Sequence, residues 1–379
     1  MIIVEISNLR NIETSNIMKK LLFLLAGAIA SLSCQKAQTD HPERQILLKD
    51  FAPVNVNNIP VTFVEKAKYP VIDMHSHDYA ANKQEIDEWV KTMDACGIIR
   101  STVHHCNWIG ESFETWLEKY ADHRDRFDLW CCFDYSHYGQ SDFAEHACAQ
   151  LEKYHALGAV GVGELGDKGL GDTYARPVPG EGIHIDDPAL KPLLAKAAEL
   201  GMPVSIHIAE PYWMYLPIDN TNDGLINGAT WHVDTTVPGC YDYDQLMTSF
   251  ENAVRENPNT IFIACHYLNM NQDLPRLGAL LDKYPNLYID ISGRCGEAAQ
   301  TPRATRAFLI KYQDRALFGT DNGMSADMYR TVFRILETED EHFYIPDFGY
   351  HWYYSGFYLP DEVLEKIYYK NAEKILNIN

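Results

Sequence analysis

Eight short runs of apolar and β-branched residues constrain the fold of this chain more than any other feature. They fall at residues 71–75, 98–104, 127–133, 159–164, 204–208, 261–265, 287–291 and 316–320. Between them the apolar residues recur with the helical period. Ile86, Trp89, Val90 and Met93 follow i, i+3, i+4, i+7 and run out at Gly97, a residue suited to a left-handed cap. Leu190, Leu193, Leu194 and Ala197 follow Asp187 and Pro188 and stop before Gly201. Strand and helix in alternation predict a parallel sheet, and eight such units close a single (β/α)8 TIM barrel. Two connections, residues 210–244 and 339–360, are longer than the fold needs and rich in aromatics. Loops after barrel strands lie on the catalytic face, so these insertions are expected either to shape a pocket or to cover the rim.

The barrel is expected over residues 69–379. Upstream, Lys19 and Lys20 precede an apolar stretch at 21–30 that ends in Ser33 and Cys34, the three-part layout of an export signal. That stretch is too short to span a bilayer. Cys34 after a small residue predicts a lipoprotein cleavage box, with Ser31 where leucine is usual. Residues 1–34 are therefore read as an export signal, with Met18 as the true start, and 35–68 as a polar tether. The expected location is a bacterial surface or the periplasm, with attachment to the membrane only through a lipid on Cys34. The other eight cysteines show no CxxC spacing and read as free thiols, mostly buried.

A formal net charge of -21 repels polyanions, and no basic run appears outside the N-terminus, which argues against nucleic acid as a partner. A small-molecule substrate is the expected partner. A homo-oligomer is compatible with the sequence and not dictated by it.

Asp73, His75 and His77 stand at i, i+2, i+4 of the first run, so strand geometry points them to one side, into the barrel mouth. Two histidines at that spacing arise often by chance, and satisfied core histidines are common. The pattern gains weight because His207 ends the fifth run, His266 follows the sixth and Asp321 follows the eighth. Barrel closure brings those strand ends around one opening. Several imidazoles with carboxylate suit one or two divalent cations, zinc foremost, with iron, cobalt and manganese as competitors. There is no Gly-x-Ser-x-Gly elbow and no phosphate-cradling glycine loop, against serine-hydrolase and nucleotide-dependent readings.

The sequence here resembles the amidohydrolase superfamily, in its amidohydrolase-related branch of decarboxylases and lactone hydrolases. The resemblance runs from about residue 69 to the end. It rests on Asp-Met-His-Ser-His at 73–77, Ile-His-Ile at 206–208, Cys-His at 265–266, Phe-Gly-Thr-Asp-Asn at 318–322 and Lys-Asn-Ala-Glu-Lys-Ile-Leu at 370–376. It implies that His75, His77 and Asp321 bind metal and that His207 joins them or binds a second ion. It implies that His266 is a second-site ligand or polarises the substrate carbonyl, and that Asp321 accepts the proton of the attacking water. Glu164, in Val-Gly-Glu-Leu, stands where many members of the superfamily carry a bridging lysine. It is expected to bridge two cations, the bland alternative being a buried acid below the site.

Arg294 is a candidate partner for a substrate carboxylate or phosphate, or else forms a rim salt bridge. Glu210 and Trp213, in the first long connection, are candidate substrate contacts. His104, His105 and His137 also follow strands and read as structural. The first functional reading is metal-dependent hydrolysis of a C–O or C–N bond in a lactone, ester or amide. Nonoxidative decarboxylation of an aromatic or unsaturated acid is the second. A noncatalytic surface lipoprotein binding a ligand or glycan is the third.

Overall fold

The computed structural model describes residues 45–104, 112–171 and 182–378. The expected export signal, Cys34, the start of the tether and His105 lie outside them. The strands are β1 (Val71–Asp73), β2 (Ile98–Val103), β3 (Phe127–Leu129), β4 (Val162–Asp167), β5 (Val204–Ile208), β6 (Phe262–Ala264), β7 (Leu287–Asp290) and β8 (Ala316–Leu317). Each lies within or across one of the eight runs. All pair in parallel, β1 to β3 in one ladder and β4 to β8 in another. Short seams join the ladders. Cys131 bridges to Val162, and Gly163 N donates to Cys131 O at 2.9 Å. On the other side Met74 N donates to Phe318 O and Asp321 N to His75 O, both at 2.9 Å. The architecture is a (β/α)8 barrel.

The helices are α1 (Lys83–Cys96), α2 (Phe113–Lys119), α3 (Phe143–Ala156), α4 (Lys191–Glu199), α5 (Leu225–Thr230), α6 (Tyr243–Glu256), α7 (Leu274–Lys283), α8 (Cys295–Ala298), α9 (Pro302–Lys311), α10 (Ala326–Glu337), α11 (Asp361–Glu365) and α12 (Asn371–Leu376). Helix α1 buries Ile86, Trp89 and Met93 and starts where the Asn82 side chain accepts from Glu85 N. It ends on Gly97 at φ 86°, a conformation cheap only for glycine. The segment begun by Asp187 and Pro188 opens as a 3-10 turn before α4 takes over, and Leu190, Leu193, Leu194 and Ala197 are all buried as their spacing required.

Two apolar layers result. The larger packs strand residues such as Val71, Val103 and Leu129 against the helices. The inner one fills the barrel with Ile72, Met74, Trp130, Ile263, Tyr288 and Leu317, completed by Ala372 and Ile375 of α12. Asn371 opens that helix and its side-chain amide donates to the carbonyls of Gln313 and Ala316, at 2.7 and 2.8 Å, which ties the C-terminal motif to the start of β8.

Contacts divide the chain into residues 1–53 and 54–379. Of the first, the described part contains a single 3-10 turn, Leu48–Asp50. The second includes the end of the segment read as a tether. Thr62 donates through its N–H and its hydroxyl to Asp340, at 2.8 and 2.7 Å, and Lys68 N donates to Glu337. Among the described residues no helix is long and apolar enough to cross a membrane. Cys96, Cys148, Cys240, Cys265 and Cys295 are free thiols, as expected, whereas Cys132 is disulfide-bonded. The fold, not local spacing, decides which cysteines meet, so the sequence carried no sign of that bond.

Candidate metal centre

Glu164 occupies the middle of a ring of imidazoles. Its Oε1 lies 3.2 Å from His266 Nε2, 3.3 Å from His207 Nδ1 and 3.6 Å from His75 Nε2, and its Oε2 lies 3.4 Å from His77 Nε2. A local irregularity of β4 aims it there. Val162 pairs with Val204 but Leu165 with Ile206, so three steps on β4 face two on β5. Such a bulge re-aims a side chain. Gly163 is required beside it, because a Cβ at that position would come within 2.7 Å of Ser205 Cβ. Asp321 flanks the ring, its Oδ1 3.3 Å from His77 Nε2 and 3.8 Å from His75 Nε2. Its side chain is 32% exposed while those of Glu164 and His75 are 3% and 0%. Asp321 is thus the carboxylate of the cluster that faces the barrel mouth.

Hydrogen bonds behind the ring fix which nitrogen points forward. His75 Nδ1 meets Asp290 Oδ2 at 2.9 Å, which leaves Nε2 toward Glu164 and Asp321. His266 Nδ1 lies 2.9 Å from the carbonyl of Ser292, an acceptor, so Nδ1 carries the proton and Nε2 presents its lone pair. Partners of this kind orient metal-binding histidines and raise their basicity. The backbone contributes as well. His266 and Asp321 adopt φ of 61° and 59°, and Tyr267, Leu268 and Asn269 continue the left-handed turn. Each costs a non-glycine residue roughly 1–2 kcal/mol, strain that concentrates at strand ends carrying function.

The electrostatics are those of a donor set crowded with charge. Burial opposes a charge on His75, but the carboxylates of Asp290 and Glu164 outweigh it and raise its pKa to about 10. Burial likewise opposes His77, and Asp321 and Glu164 raise it to about 9. Glu164 is held well below the usual carboxylate range, the surrounding imidazoles overcoming its burial. His266 is pushed down, chiefly by burial.

Several expected residues stand elsewhere. Asp73 does not join the ring. Its carboxylate accepts from the Thr320 hydroxyl at 2.7 Å and from the N–H groups of Thr320 and His75, both at 3.1 Å. β1 ends at Asp73, so the two-residue alternation no longer governs the residues after it. Arg294 is occupied by protein partners: Nε donates to Asn269 Oδ1 at 2.8 Å, and Glu210 and Glu297 lie at 3.5 and 3.7 Å. This is the ion-pair alternative of the sequence reading. Glu210 also pairs with Lys168 and lies 3.7 Å from His207 Nε2. Trp213 packs edge-on against Trp352 at 6.1 Å, joining the two long connections. His137 stacks on His146 at 3.8 Å and bonds Asp142, away from the cluster. Two residues of the centre escaped the sequence reading. Asp290 is an acid inside an otherwise apolar run, a signal that was present. His104 was read as structural, yet its ring sits 4.8 Å from that of His75.

The donor set fits a divalent cation. Two ligand atoms each about 2.1 Å from a tetrahedral ion stand about 3.4 Å apart, the spacing found around Glu164. Buried His75 Nε2 and Glu164 Oε1 have no hydrogen-bond partner among the described residues, and an unpaired buried polar group costs roughly 1–3 kcal/mol. With His266 they form one group of metal-ligand spacing, and His75, His77 and His104 form another.

Fold and site together define a metal-dependent barrel enzyme. Comparison with known proteins makes the class specific. The chain belongs to the amidohydrolase family, whose description, Amidohydrolase, matches residues 111–378. The His75/His77 pair lies ahead of the matched span. A search of curated proteins returns no match. Among solved structures the chain is similar to a putative amidohydrolase from Staphylococcus aureus, at 16% identity and TM-score 0.51, over 82% of this chain and 100% of that one. It is similar to an uncharacterized TIM-barrel protein from Bordetella bronchiseptica, at 16% identity and TM-score 0.50, over 81% and 98%. A 5-carboxyvanillate decarboxylase from Sphingomonas paucimobilis aligns at 12% identity and TM-score 0.50, over 82% and 100%. These likenesses establish the barrel.

Proposed function

We propose that the protein hydrolyses a C–O or C–N bond in a small molecule, a lactone, ester or amide, with two divalent cations, zinc foremost. The observation that carries this reading is the central carboxylate of Glu164, with imidazoles on both sides of it and the half-exposed Asp321 beside it. His75, His77 and Asp321 would hold one cation, His207 and His266 the other, and Glu164 would serve both. When bound, a divalent cation lowers the pKa of water from about 15.7 toward roughly 7 and polarises the substrate oxygen. Asp321 takes the proton of the attacking water on its carboxylate and returns it to the leaving group. The Tyr79 hydroxyl, which donates to Asp321 Oδ1 at 3.1 Å and to its carbonyl at 2.8 Å, keeps that carboxylate in place. His266 presents an unprotonated Nε2 and is oriented as a ligand, not as a proton donor to the substrate.

The test is elemental analysis of purified protein together with turnover of a panel of lactones, esters and amides. Hydrolysis should stop on chelation and return with added zinc. Release of carbon dioxide from aromatic acids would replace this reading with decarboxylation, and protein without metal or turnover would sink it. Loading should also expel protons. At neutral pH the metal-free protein holds protons on His75 and His77, with pKa values of about 10 and 9, and a cation binds only the neutral rings. Apparent affinity should therefore rise with pH up to about 9 to 10, and calorimetric titration in buffers of different ionisation enthalpy should register proton release at pH 7.5.

Export belongs to the same proposal, supported by the layout of residues 18–34 and by the disulfide at Cys132, a bond favoured in oxidising compartments. Labelled palmitate should enter the wild-type chain in a bacterial host and not Cys34→Ala. Equal labelling of both would remove the lipid anchor from the reading.

A further inference from the structure

His104 stands directly after β2, beside the strand end that carries His75 and His77. Its N–H donates to the carbonyl of Ser76 at 2.9 Å, and it pairs with His77 as a parallel bridge. Its side chain is fully buried, yet neither ring nitrogen has a hydrogen-bond partner among the described residues. A neutral imidazole carries one donor and one acceptor, so both capacities are unmet in a site from which water is excluded. Its ring meets His75 edge-on at 4.8 Å and 83° and His77 at 5.8 Å. One ring nitrogen of His104 lies within 4.8 Å of a ligand nitrogen on each of them. Trp130, packed edge-on 5.1 Å away, offers an indole nitrogen that is itself unpartnered among the described residues. Among the described residues nothing therefore satisfies His104, and what it faces is the pair of imidazoles at the mouth of the barrel.

We infer that His104 is a further ligand of the cation centre, supplied by β2 to the cation held by His75 and His77. The inference rests on the metal-dependent reading and adds a strand to the five that supply the other ligands. It accounts for a buried imidazole that would otherwise be an uncompensated cost, and it gives the cation at His75 and His77 one more nitrogen ligand than the one at His207 and His266. That difference predicts two unequal affinities in one centre.

Cobalt(II) is the probe, since its visible absorption reports ligand number and type. Metal-stripped wild type, His104→Leu and His104→Gln are titrated with cobalt against a chromophoric chelator, and each is melted with and without the ion. The expected result is a loss of at least tenfold in the affinity of one equivalent in both variants, in line with the 10- to 100-fold cost of disturbing even the partners of metal ligands. The cobalt spectrum should change, and the metal-free melting temperature of His104→Leu should equal or exceed that of wild type. Unchanged affinity and spectrum would overturn the inference and leave the metal-dependent reading standing. A metal-free melting temperature that drops equally in both variants with an unchanged cobalt spectrum would make His104 a packing residue and overturn it as well. Failure of wild type to take up cobalt would overturn both.

Discussion

Replacing Glu164 by glutamine is expected to cost at least one equivalent of bound divalent cation and to lower kcat/KM by a thousandfold or more, about 4 kcal/mol of transition-state stabilisation. The substitution keeps shape and removes charge. Four imidazole nitrogens stand 3.2 to 3.6 Å from the two carboxylate oxygens, so this side chain reaches both halves of the ring. An amide offers one weakly basic oxygen and turns an N–H toward the rest. The metal-free protein changes too. Glu164 contributes to the raised pKa values of His75 and His77, which stay charged up to about 10 and 9. A group whose pKa is raised on folding adds stability that is complete below its unfolded value, near 6.5, and is lost as pH climbs through the folded value. Glu164, held low, adds stability above its unfolded value, near 4.5, and loses it as pH falls. The carboxylate therefore stabilises the metal-free fold most between about pH 5 and 6.5, and that contribution drains away as pH climbs toward 9 to 10. Glu164→Gln should melt below wild type in that window, and the gap should close above pH 10. Full metal content at wild-type activity would show that Glu164 is only a buried acid beneath the site.

The barrel was legible because parallel strands covered on both faces are written as continuous apolar runs that can be counted. Where the reading slipped, the strand departed from that rule. β4 was expected at 159–164 and spans Val162–Asp167, because the bulge at Glu164 and the polar end of the strand interrupt the apolar signal. Asp73 was placed with His75 and His77 by a two-residue alternation that stops holding once β1 has ended.

The site was legible to the extent that its candidate ligands sit at strand ends, where His207, His266 and Asp321 announce themselves by position. Asp290 is the last residue of β7, and its value comes from meeting His75, which no one-dimensional pattern displays. The same holds for Arg294. An exposed-looking arginine after a strand suggests an anion clamp, and only the fold reveals Asn269, Glu210 and Glu297 already around it. A clamp for a substrate carboxylate would require Arg294 to leave those partners.

Asp321→Asn separates two duties that Glu164→Gln merges. Asparagine keeps an oxygen for the cation and for the Tyr79 hydroxyl, which donates to Oδ1 at 3.1 Å, but it cannot accept a proton. In the metal-free protein burial opposes ionisation of Asp321, and the hydrogen bond from His77 and the charge of His75 overcome it, so the group is an anion well below the usual carboxylate range. It is therefore ready to act as a base throughout neutral pH. If it carries the proton of the attacking water, kcat should fall by roughly 10²- to 10⁴-fold, the worth of a positioned acid–base group. Metal content at saturating zinc should fall far less than in Glu164→Gln, and any acidic limb of the wild-type pH–rate profile should disappear. A residue that served as ligand alone would lose metal and activity in proportion, and excess zinc would restore both. Rescue by zinc would therefore confine Asp321 to holding the cation and move the proton-accepting role elsewhere. A deficit that persists at full metal occupancy would assign the proton to the Asp321 carboxylate, the most exposed acid of an otherwise buried ring.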